Sequence, residues 1–485
     1  MTLIIDIIKY QLYLLQLENY ELGRYWVLLW KRGIWPSKKR PLRKELVWTA
    51  KAKALMLMAA ALHLLIVIIA GLVIMAWRPG LDNFFTAIII CALVFLPFYF
   101  ILFSIALLIL MPADALVKNR IIRKANLKIE RFKDLKIIGV AGSYGKTTMK
   151  QVLLDVLSIK FKTIATPESV NTPVGIVRWI LKNVDEGTQV AIIEMGEHYS
   201  GDIKQLCEIA KPDIAVITGI NEAHLERMGS LENVVATIFE IADEANPGGT
   251  MVLNADDQNV MGNYQKFVWP DHKIERFKVE DLRLRNFDAE KLVWHCEIDG
   301  VGKVEINLLG EYALGDVSAA VKIGRSLDMG NEDIKRGIAN IKPVEHRLQP
   351  IKSAANVLVI DDSYNGNPDG AREAVKLLSL FTNRRKLYIT PGLVEMGKPT
   401  AEIHREIGRQ LASAADVVIL IKNSVTPFIA EAIDDDLTVV VGKTDRVKPK
   451  IIWFDTAQEA HQNLKNILKP GDVILFQNDW GDQYI

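Results

Sequence analysis

The chain has 485 residues, half of them hydrophobic, and a formal net charge of +1. This length exceeds that of one ordinary domain and predicts two or three. Lys and Arg are spread along the chain without a basic stripe interleaved with aromatic residues, which argues against nucleic acid as a partner. The cysteines Cys91, Cys207 and Cys296 are far apart and form no CxxC pair. We therefore expect a reducing cytoplasmic compartment, and neither a disulfide framework nor a zinc knuckle.

The first 50 residues mix Leu, Ile, Tyr and Trp with charged residues. We interpret 1–50 as an interfacial, amphipathic helical segment that places its tryptophans at the depth of lipid headgroups. Packing of a helix from this segment on the soluble part of the chain is an equally good interpretation.

Two long apolar runs follow, at 54–77 and 83–111, and neither contains Asp, Glu, Lys or Arg. Each exceeds the roughly 20 residues that a helix needs to cross a bilayer, so we predict a two-helix transmembrane hairpin over 51–115. The alternative is a pair of helices buried in a large soluble core. Basic residues precede the first run and follow the second. The positive-inside rule then places the catalytic domains on the cytoplasmic side of the cytoplasmic membrane.

From residue 135 onward, short β-rich runs alternate with helical stretches, which indicates α/β domains with parallel sheets. The first block has predicted strands at 136–140, 189–194, 214–220 and 251–254, separated by helices at 147–158, 202–210 and 231–245. Residues 273–309 alternate polar and apolar and predict a small antiparallel insert. The second block, after a Pro-containing connector at 342–347, has predicted strands at 357–361, 386–390, 416–421 and 472–476.

The fold class is therefore α/β, with an N-terminal transmembrane helical hairpin followed by two domains. We predict a P-loop parallel-sheet domain over 130–342 and a C-terminal Rossmann-like α/β domain over 343–485.

The strongest chemical signal is GVAGSYGKTT at 139–148, directly after a predicted strand and opening a helix. A Gly-rich turn in this setting exposes backbone N–H groups at a helix N-terminus, where phosphates bind. The lysine is placed to reach the β and γ phosphates of ATP, and the threonine after it to hold Mg²⁺. A chance Gly-rich turn is the alternative. The predicted nucleotide-binding residues of this loop are Gly142, Ser143, Gly145, Lys146, Thr147 and Thr148.

The spacing GxxGxxGKT is one residue longer than the usual Walker form, and it resembles the phosphate loop of the Mur ligases and their folylpolyglutamate synthase relatives. Further motifs follow in the order of that family across about 135–480. They are similar to the branch that adds D-alanyl-D-alanine to a UDP-muramoyl tripeptide. These motifs are NTPVG at 171–175, IEMG at 193–196, GDI at 201–203, AHLE at 223–226, NADD at 254–257, HR at 346–347, DDSYNGNP at 361–368 and PGLVEMG at 391–397.

The resemblance implies roles for individual residues. The catalytic set is Lys146, His224, Arg347 and Asp362, and the Mg²⁺ ligands are Thr147, Glu194 and His224. Asn254 and Arg347 join the phosphate loop in binding ATP, and Asn171, Thr172, Asn365 and Asn367 contact the substrates. Each residue also has a structural alternative: a solvated capping acid for Glu194, a structural loop histidine for His224, a surface ion pair for Arg347 and turn chemistry for the asparagines.

Some positions depart from the family pattern. Ile238 stands where the family commonly carries a carbamylated lysine that bridges to a second metal, so Glu226 or Glu240 substitutes or only one Mg²⁺ binds. The segment near the nucleotide base reads EYALGD at 311–316, and QND at 477–479 replaces a usual Lys-Gly-Ser. The hairpin stands where a UDP-sugar domain is usual.

We predict an ATP-dependent amide-forming ligase that works through an acyl phosphate. Its expected substrates are a muramoyl-peptide acceptor and D-Ala-D-Ala or a similar amine donor. A further hypothesis is that a lipid carries the acceptor. One alternative is a membrane-associated polyglutamate-type ligase. The other is a catalytically impaired, nucleotide-binding scaffold that recruits cell-wall enzymes, for which Ile238 and Asp316 are the best support.

Overall fold

The computed structural model describes residues 2–36, 46–77, 80–167, 170–197, 199–222, 225–352, 356–364, 366–393, 396–397, 399–435 and 448–477. These residues form two compact units, one up to Arg120 and one from Ile121 onward. Each unit has its own apolar core.

The first unit is helical. Its helices are α1 (Thr2–Leu17), α2 (Leu22–Arg32), α3 (Ala50–Trp77), α4 (Leu81–Phe95) and the first part of α5 (Tyr99–Ile129), with a 3₁₀ turn at Leu96–Phe98 between α4 and α5. The predicted second span is thus two helices rather than one. Pro97 lies in the 3₁₀ turn, where its ring and missing N–H interrupt regular α-helical hydrogen bonding.

Two helical stretches in this unit, Ala50–Trp77 and Asp82–Ile129, are long and apolar enough to cross a membrane by length and composition. Only 22% of the most apolar window of each stretch is buried in the protein, and large side chains such as Leu64 and Leu65 face outward. Helices α3 and α4 approach closely at Gly71, where a Cβ would lie 2.8 Å from the ring of Phe84.

Helices α1 and α2 pack on α3 and α5 through one apolar cluster. Leu12 and Leu15 of α1, Tyr25 of α2, Leu55 of α3 and Phe103 of α5 are fully buried in it. The amphipathic character predicted for this segment is present in α2, whose Trp30 is 92% exposed.

The second unit begins with the last turns of α5. Ala125 is buried in its core, and the Lys128 Nζ donates to the carbonyl oxygens of Ile180 and Leu181 at 3.3 and 2.8 Å. These carbonyls lie in the last turn of the helix Pro173–Asn183, where the Ile180 carbonyl also accepts from the Val184 N–H at 3.2 Å, so the lysine adds a donor at the C-terminal end of that helix.

A six-stranded parallel sheet forms the middle of the chain, in the order β2-β3-β1-β4-β5-β6. The strands are β1 (Lys136–Ala141), β2 (Thr163–Ala165), β3 (Val190–Glu194), β4 (Ile214–Ile217), β5 (Thr250–Asn254) and β6 (Lys273–Phe277). The helices are α6 (Lys146–Leu157), α7 (Pro173–Asn183), α8 (Asp202–Ile209), α9 (Leu225–Met228), α10 (Leu231–Glu244) and α11 (Gln258–Phe267). Helix α6 packs on one face and α7, α8 and α10 on the other, so central strands such as β3 are buried throughout.

A three-stranded antiparallel sheet follows, made of β7 (Leu282–Asp288), β8 (Val293–Ile298) and β9 (Gly302–Ile306). The predicted insert at 273–309 was therefore wrong at its start, because β6 is the edge strand of the parallel sheet. An edge strand has one solvated side, which explains its partly polar sequence. Helices α12 (Tyr312–Ser326) and α13 (Asn331–Ala339) then return to the face that α6 covers.

A second six-stranded sheet has the order β10-β11-β15-β12-β13-β14. Its strands are β10 (Gln349–Lys352), β11 (Leu358–Asp362), β12 (Lys386–Thr390), β13 (Val417–Ile421), β14 (Lys450–Phe454) and β15 (Val473–Gln477), and only β10 is antiparallel. Helices α14 (Pro368–Ser379), α15 (Thr400–Ala414) and α16 (Thr426–Asp434) cover one face, and α17 (Ala457–Ile467) packs on the other. The sequence analysis missed β10 and β14.

Candidate active site

The phosphate loop leaves β1 and enters α6 through two glycines in the left-handed region. Gly142 has φ 143° and Gly145 has φ 79°, conformations that L side chains rarely adopt. A Cβ on Gly142 would also meet the hydroxyl of Thr218 and lie 2.9 Å from the carbonyl oxygen of Gly219. The Ser143 N–H donates to that Gly219 carbonyl at 2.7 Å, which ties the loop to the segment after β4.

The Lys146 ammonium lies inside the loop. It donates to the carbonyl oxygen of Gly142 and lies 3.1 Å from the carboxylate of Glu197, which is almost completely buried. The positive charge of Lys146 is therefore already balanced by the carboxylate of Glu197. Glu197 was missed in the sequence analysis, because it lies beyond the end of β3 and no periodicity marks it.

Thr147, in the first turn of α6, lies beside Glu194, the last residue of β3. The Thr147 hydroxyl donates to a Glu194 carboxylate oxygen at 3.2 Å. Lys150, one turn further along α6 and 3% exposed, donates to the same oxygen at 2.7 Å. Hydroxyl and carboxylate oxygens suit a hard cation such as Mg²⁺, so this pair fits the predicted metal site. Lys150 was also missed, although it falls on the same face of α6 as Thr147.

Arg347 reaches this site from the start of the second sheet. It lines a small cavity of about 70 Å³ together with Lys146, Glu194 and Asn171. Its guanidinium carbon lies 5.1 Å from the ring centroid of Tyr364. Within the described part of the chain it forms no ion pair within 4 Å.

The two neighbours of Arg347 adopt unusual backbone conformations. His346 has φ 55° and Leu348 has φ 43°, in the left-handed region that non-glycine residues seldom occupy. Such conformations cost roughly 1–3 kcal/mol each and persist where the surroundings hold them. Here the His346 ring nitrogen Nδ1 lies 2.7 Å from the Asp361 carboxylate, and the Leu348 N–H donates to Asp362 at 3.2 Å.

Asp362 lies at the end of β11 in a larger cavity of about 210 Å³, which Thr147, Thr148 and Arg347 also line. Burial raises the pKa of its carboxyl group to about 7, against the opposing effect of the Arg347 charge. The predicted catalytic residue Asp362 thus lies in the cleft, and its carboxyl group holds its proton more readily than that of an exposed aspartate.

The second sheet contacts the loop after β4 through hydrogen bonds that the sequence analysis did not anticipate. The Asn221 amide donates to Asn367 Oδ1 at 3.1 Å and to Asp369 Oδ2 at 2.6 Å. Asn367 also accepts from the Gly370 N–H at 3.1 Å and caps α14. The turn chemistry proposed as the alternative for this asparagine is therefore present, and the side chain faces the cleft as well.

A third cavity of about 260 Å³ opens beside the phosphate loop. Asn254 lines it, but its amide is already bonded to the backbone, donating to the Thr218 carbonyl at 2.6 Å and accepting from the Asp256 N–H at 3.0 Å. Asp316 also lines it, 5% exposed, and its Oδ2 has no hydrogen-bond partner in the part of the chain that the structure describes. Burial raises the pKa of Asp316 well above its usual value.

The other predicted substrate residues are only partly accounted for. Asn171 lines the cavity of Lys146 and Arg347 and packs on Gly196. Thr172 is the N-cap residue of α7 and is not among the described residues that line that cavity. His224 and Asn365 lie outside the described residues.

Of the two proposed replacements for a second metal ligand, Glu240 is held away from the site. Ile238 is fully buried in the apolar core around α10. Glu240 accepts from the backbone N–H groups of Gly201 and Lys204 at 2.7 and 2.9 Å, which caps α8 and excludes it from the site. The side chain of Glu226 lies outside the described residues.

Comparisons with known proteins agree with this geometry. The model of the Mur ligase middle domain matches residues 140–324, and that of the "Mur ligase, glutamate ligase domain" matches residues 346–477. The UDP-N-acetylmuramoyl-tripeptide–D-alanyl-D-alanine ligase of Bacillus subtilis (strain 168) is 26% identical over 352 residues, 71% of this chain and 73% of that protein. The enzyme of the same name from Mycobacterium tuberculosis (strain ATCC 25618 / H37Rv) is 29% identical over 362 residues, 70% of each.

Solved structures give the same result. MurF from Acinetobacter baumannii has a TM-score of 0.65 at 25% identity, over 75% of this chain and 77% of that chain. The MurF ligase from Thermotoga maritima in complex with ADP has a TM-score of 0.63 at 25% identity, over 75% and 80% of the two chains.

Proposed function

Since the chain belongs to the Mur ligase family, we propose that it is an ATP-dependent ligase that joins D-alanyl-D-alanine to a muramoyl tripeptide in peptidoglycan synthesis. The two family matches together span well over half of the chain and confirm the resemblance identified from the motifs. The acceptor and the donor are those named for the similar enzymes.

The proposed reaction has two steps. The acceptor carboxylate attacks the γ-phosphorus of ATP, which gives an acyl phosphate and ADP. The neutral amine of the donor then attacks the acyl carbon, and phosphate leaves as the amide forms. The phosphate loop holds the ATP phosphates through its backbone N–H groups, and Lys146 neutralises charge on the β and γ phosphates.

The residues present fit a magnesium ion, with Thr147 and Glu194 as the protein ligands among the described residues. When bound, Mg²⁺ supplies charge neutralisation on the phosphates. Lys150 keeps the Glu194 carboxylate turned toward Thr147 through its 2.7 Å contact. His224 remains a proposed ligand from the motif alone.

One observation carries the proposal: Lys146 and Arg347 line one cavity. Lys146 begins α6 beside the first sheet, Arg347 precedes the first strand of the second sheet, and the two lie 201 positions apart in the sequence. A planar guanidinium suits charge that develops on a transferred phosphoryl group. Closure of the two sheets around this cavity excludes water, which would otherwise hydrolyse the acyl phosphate.

The test uses the purified full chain with ATP, Mg²⁺, a muramoyl tripeptide and D-Ala-D-Ala. We expect mass spectrometry to show the amide product in proportion to released phosphate. Lys146→Ala is expected to lower the rate at least about a thousandfold, whereas Lys160→Ala, on the surface beyond α6, keeps it. Retained ligation in Lys146→Ala would contradict the mechanism.

The two alternatives give different results in the same assay. A polyglutamate-type ligase would form product with glutamate and not with the dipeptide. A scaffold would bind ATP without releasing phosphate for any acceptor and donor pair. The observations that favour it are the buried Ile238 and the Asp316 Oδ2, which has no hydrogen-bond partner among the described residues.

We further propose that the first unit anchors the chain in the cytoplasmic membrane as a hairpin, with the catalytic unit in the cytoplasm. The outward-facing apolar side chains of α3 to α5 and the basic flanks support this. After cell fractionation, we expect the chain in the membrane fraction after a carbonate wash, and recovery in the wash would contradict the proposal.

A membrane location also suggests an acceptor whose sugar diphosphate is linked to a lipid rather than to uridine. The measurement is the initial rate on each acceptor in detergent micelles. A clear preference for the uridine-linked acceptor would refute this part of the proposal and leave the ligase activity standing.

A further inference from the structure

Tyr144 occupies a central place in the nucleotide site that the phosphate-loop motif does not explain. Tyr144 lines all three cavities that meet at the loop, and so does the next residue, Gly145. A nucleotide that has its phosphates at Lys146 and its base in the cavity of Asp316 must therefore pass this side chain.

Three contacts fix Tyr144 in place. Its hydroxyl donates to Asp257 Oδ2 at 2.8 Å, and its carbonyl oxygen accepts from the Thr218 hydroxyl. Its ring lies over Gly219, where a Cβ would come within 2.5 Å of the ring carbons Cζ and Cε1 and of the tyrosine hydroxyl oxygen. Gly219 is not among the glycines with positive φ, so the ring, and not the backbone conformation, demands a residue without a Cβ.

Asp257 is itself held firmly. The oxygen that accepts from Tyr144 also accepts from the Ile220 N–H at 3.0 Å, and the other carboxylate oxygen caps α11 by accepting from Val260 N–H at 2.8 Å. Burial and the neighbouring Asp257 carboxylate raise the pKa of Tyr144, which keeps the hydroxyl protonated as a donor. The tyrosine thus connects the phosphate loop to the segments after β4 and β5.

We propose that Tyr144 is a nucleotide-positioning residue, whose ring, held by Asp257 and seated on Gly219, forms the wall along which the nucleoside part of ATP lies between the phosphate loop and the third cavity. This inference rests on the proposed function, because it takes ATP as the ligand. Because the ring packs on Gly219, a substitution at Gly219 can displace the ring and so test its role without changing Tyr144 itself.

The test measures ADP binding by titration calorimetry, and thermal unfolding without nucleotide, for the full chain in detergent. Tyr144→Ser removes the ring, Tyr144→Phe removes only the hydroxyl, and Gly219→Ala pushes the ring out of place. Gly262→Ala is the matched control, because a Cβ there has no neighbour within 4 Å.

We expect Tyr144→Ser and Gly219→Ala each to weaken ADP binding about tenfold, and Tyr144→Phe about threefold, with Gly262→Ala unchanged. In the double variant, Gly219→Ala is expected to add nothing to Tyr144→Ser, because the ring that it displaces is gone. The melting temperatures without nucleotide are expected to stay within a few degrees of the unaltered chain.

Tight ADP binding by Tyr144→Ser overturns the inference, and so does full additivity in the double variant. If Tyr144→Ser fails to fold, Tyr144→Phe and Gly219→Ala decide, and unchanged binding in both overturns it. If the unaltered chain binds no ADP, the proposed function fails and this inference with it.

Discussion

The carboxyl ends of the parallel strands in both sheets face the same cleft, but charged side chains are paired differently at these two edges. At the first edge each lysine is paired: Lys146 with Glu197 at 3.1 Å and Lys150 with Glu194 at 2.7 Å. At the second edge, Arg347 forms no ion pair within 4 Å among the described residues, and its guanidinium carbon lies 5.1 Å from the ring centroid of Tyr364.

This difference separates two tasks. Pairing offsets part of the cost of burying a charge and holds a fixed geometry, which suits the cradle for phosphates. A guanidinium outside ion-pair distance of the described carboxylates is available to interact with charge that develops on the substrate during reaction. We infer that the first edge, with Lys146, fixes the phosphates for transfer, and that Arg347 at the second edge acts mainly on the transition state. Substitutions at each edge test this distinction, and the substitution with the largest expected change in free energy comes first.

The largest effect is expected at the first edge. Lys150→Met leaves the Glu194 carboxylate buried without its partner, which costs roughly 3–5 kcal/mol of unfolding free energy. The measurement is the urea midpoint of the catalytic part. Lys150→Met combined with Glu194→Leu is the control and should recover most of the loss, since it removes both charges. An unchanged midpoint in the single variant would show that the pair is not structural.

At the second edge, Asp362 is expected to make stability depend on pH. Burial raises the pKa of Asp362 in the folded protein to about 7 from its ordinary value of 3.8, so the folded state binds more protons than the unfolded state between these pH values. Stability therefore falls as the pH rises from about 4 to about 7, by no more than roughly 4 kcal/mol, and is level above. Asp362→Asn should remove this slope, and Asp434→Asn, at an exposed position, should retain it.

The unpaired cation of the second edge is tested by Arg347→Lys. Lysine keeps the charge but loses the planar fork, so we expect kcat to fall about a hundredfold with a small change in the KM for ATP. Arg336→Lys, on the surface of α13, is the matched control. If Arg347→Lys instead raised KM and left kcat intact, both edges would serve binding and the distinction would collapse.

The smallest effect concerns the contact between the edges. Asn221→Ala removes the donor to Asn367 and Asp369, and Asp369 keeps its contact with Arg372 at 2.6 Å. We expect kcat/KM for ATP to fall roughly threefold to tenfold, the worth of one ordinary hydrogen bond, because Asp369 stays paired with Arg372. Asn463→Ala, at a partly exposed position on α17, should have no effect. A thousandfold loss would mean that Asn221 belongs to the chemistry.

Much of the fold followed from local patterns, because buried parallel strands such as β1 and β3 are apolar runs between helical stretches. The phosphate loop was predictable for the same reason, since its glycines and Lys146 are adjacent in sequence. Lys150 had a usable signal, as residues three and four apart share a helix face. Asn221 had none, because its partner Asn367 is 146 positions away and the contact exists only once both sheets have formed.

The antiparallel edge strand β10 has a mechanical consequence. Strand β10 pairs with β11, and the residues on either side of Arg347 form hydrogen bonds with Asp361 and Asp362. Arg347 is therefore held to the second sheet. Any hinge between the domains therefore lies upstream of His346. An outward rotation of the last domain about such a hinge would carry Arg347 away from the phosphate loop, so the charge that Arg347 supplies for phosphoryl transfer depends on closure of the two domains.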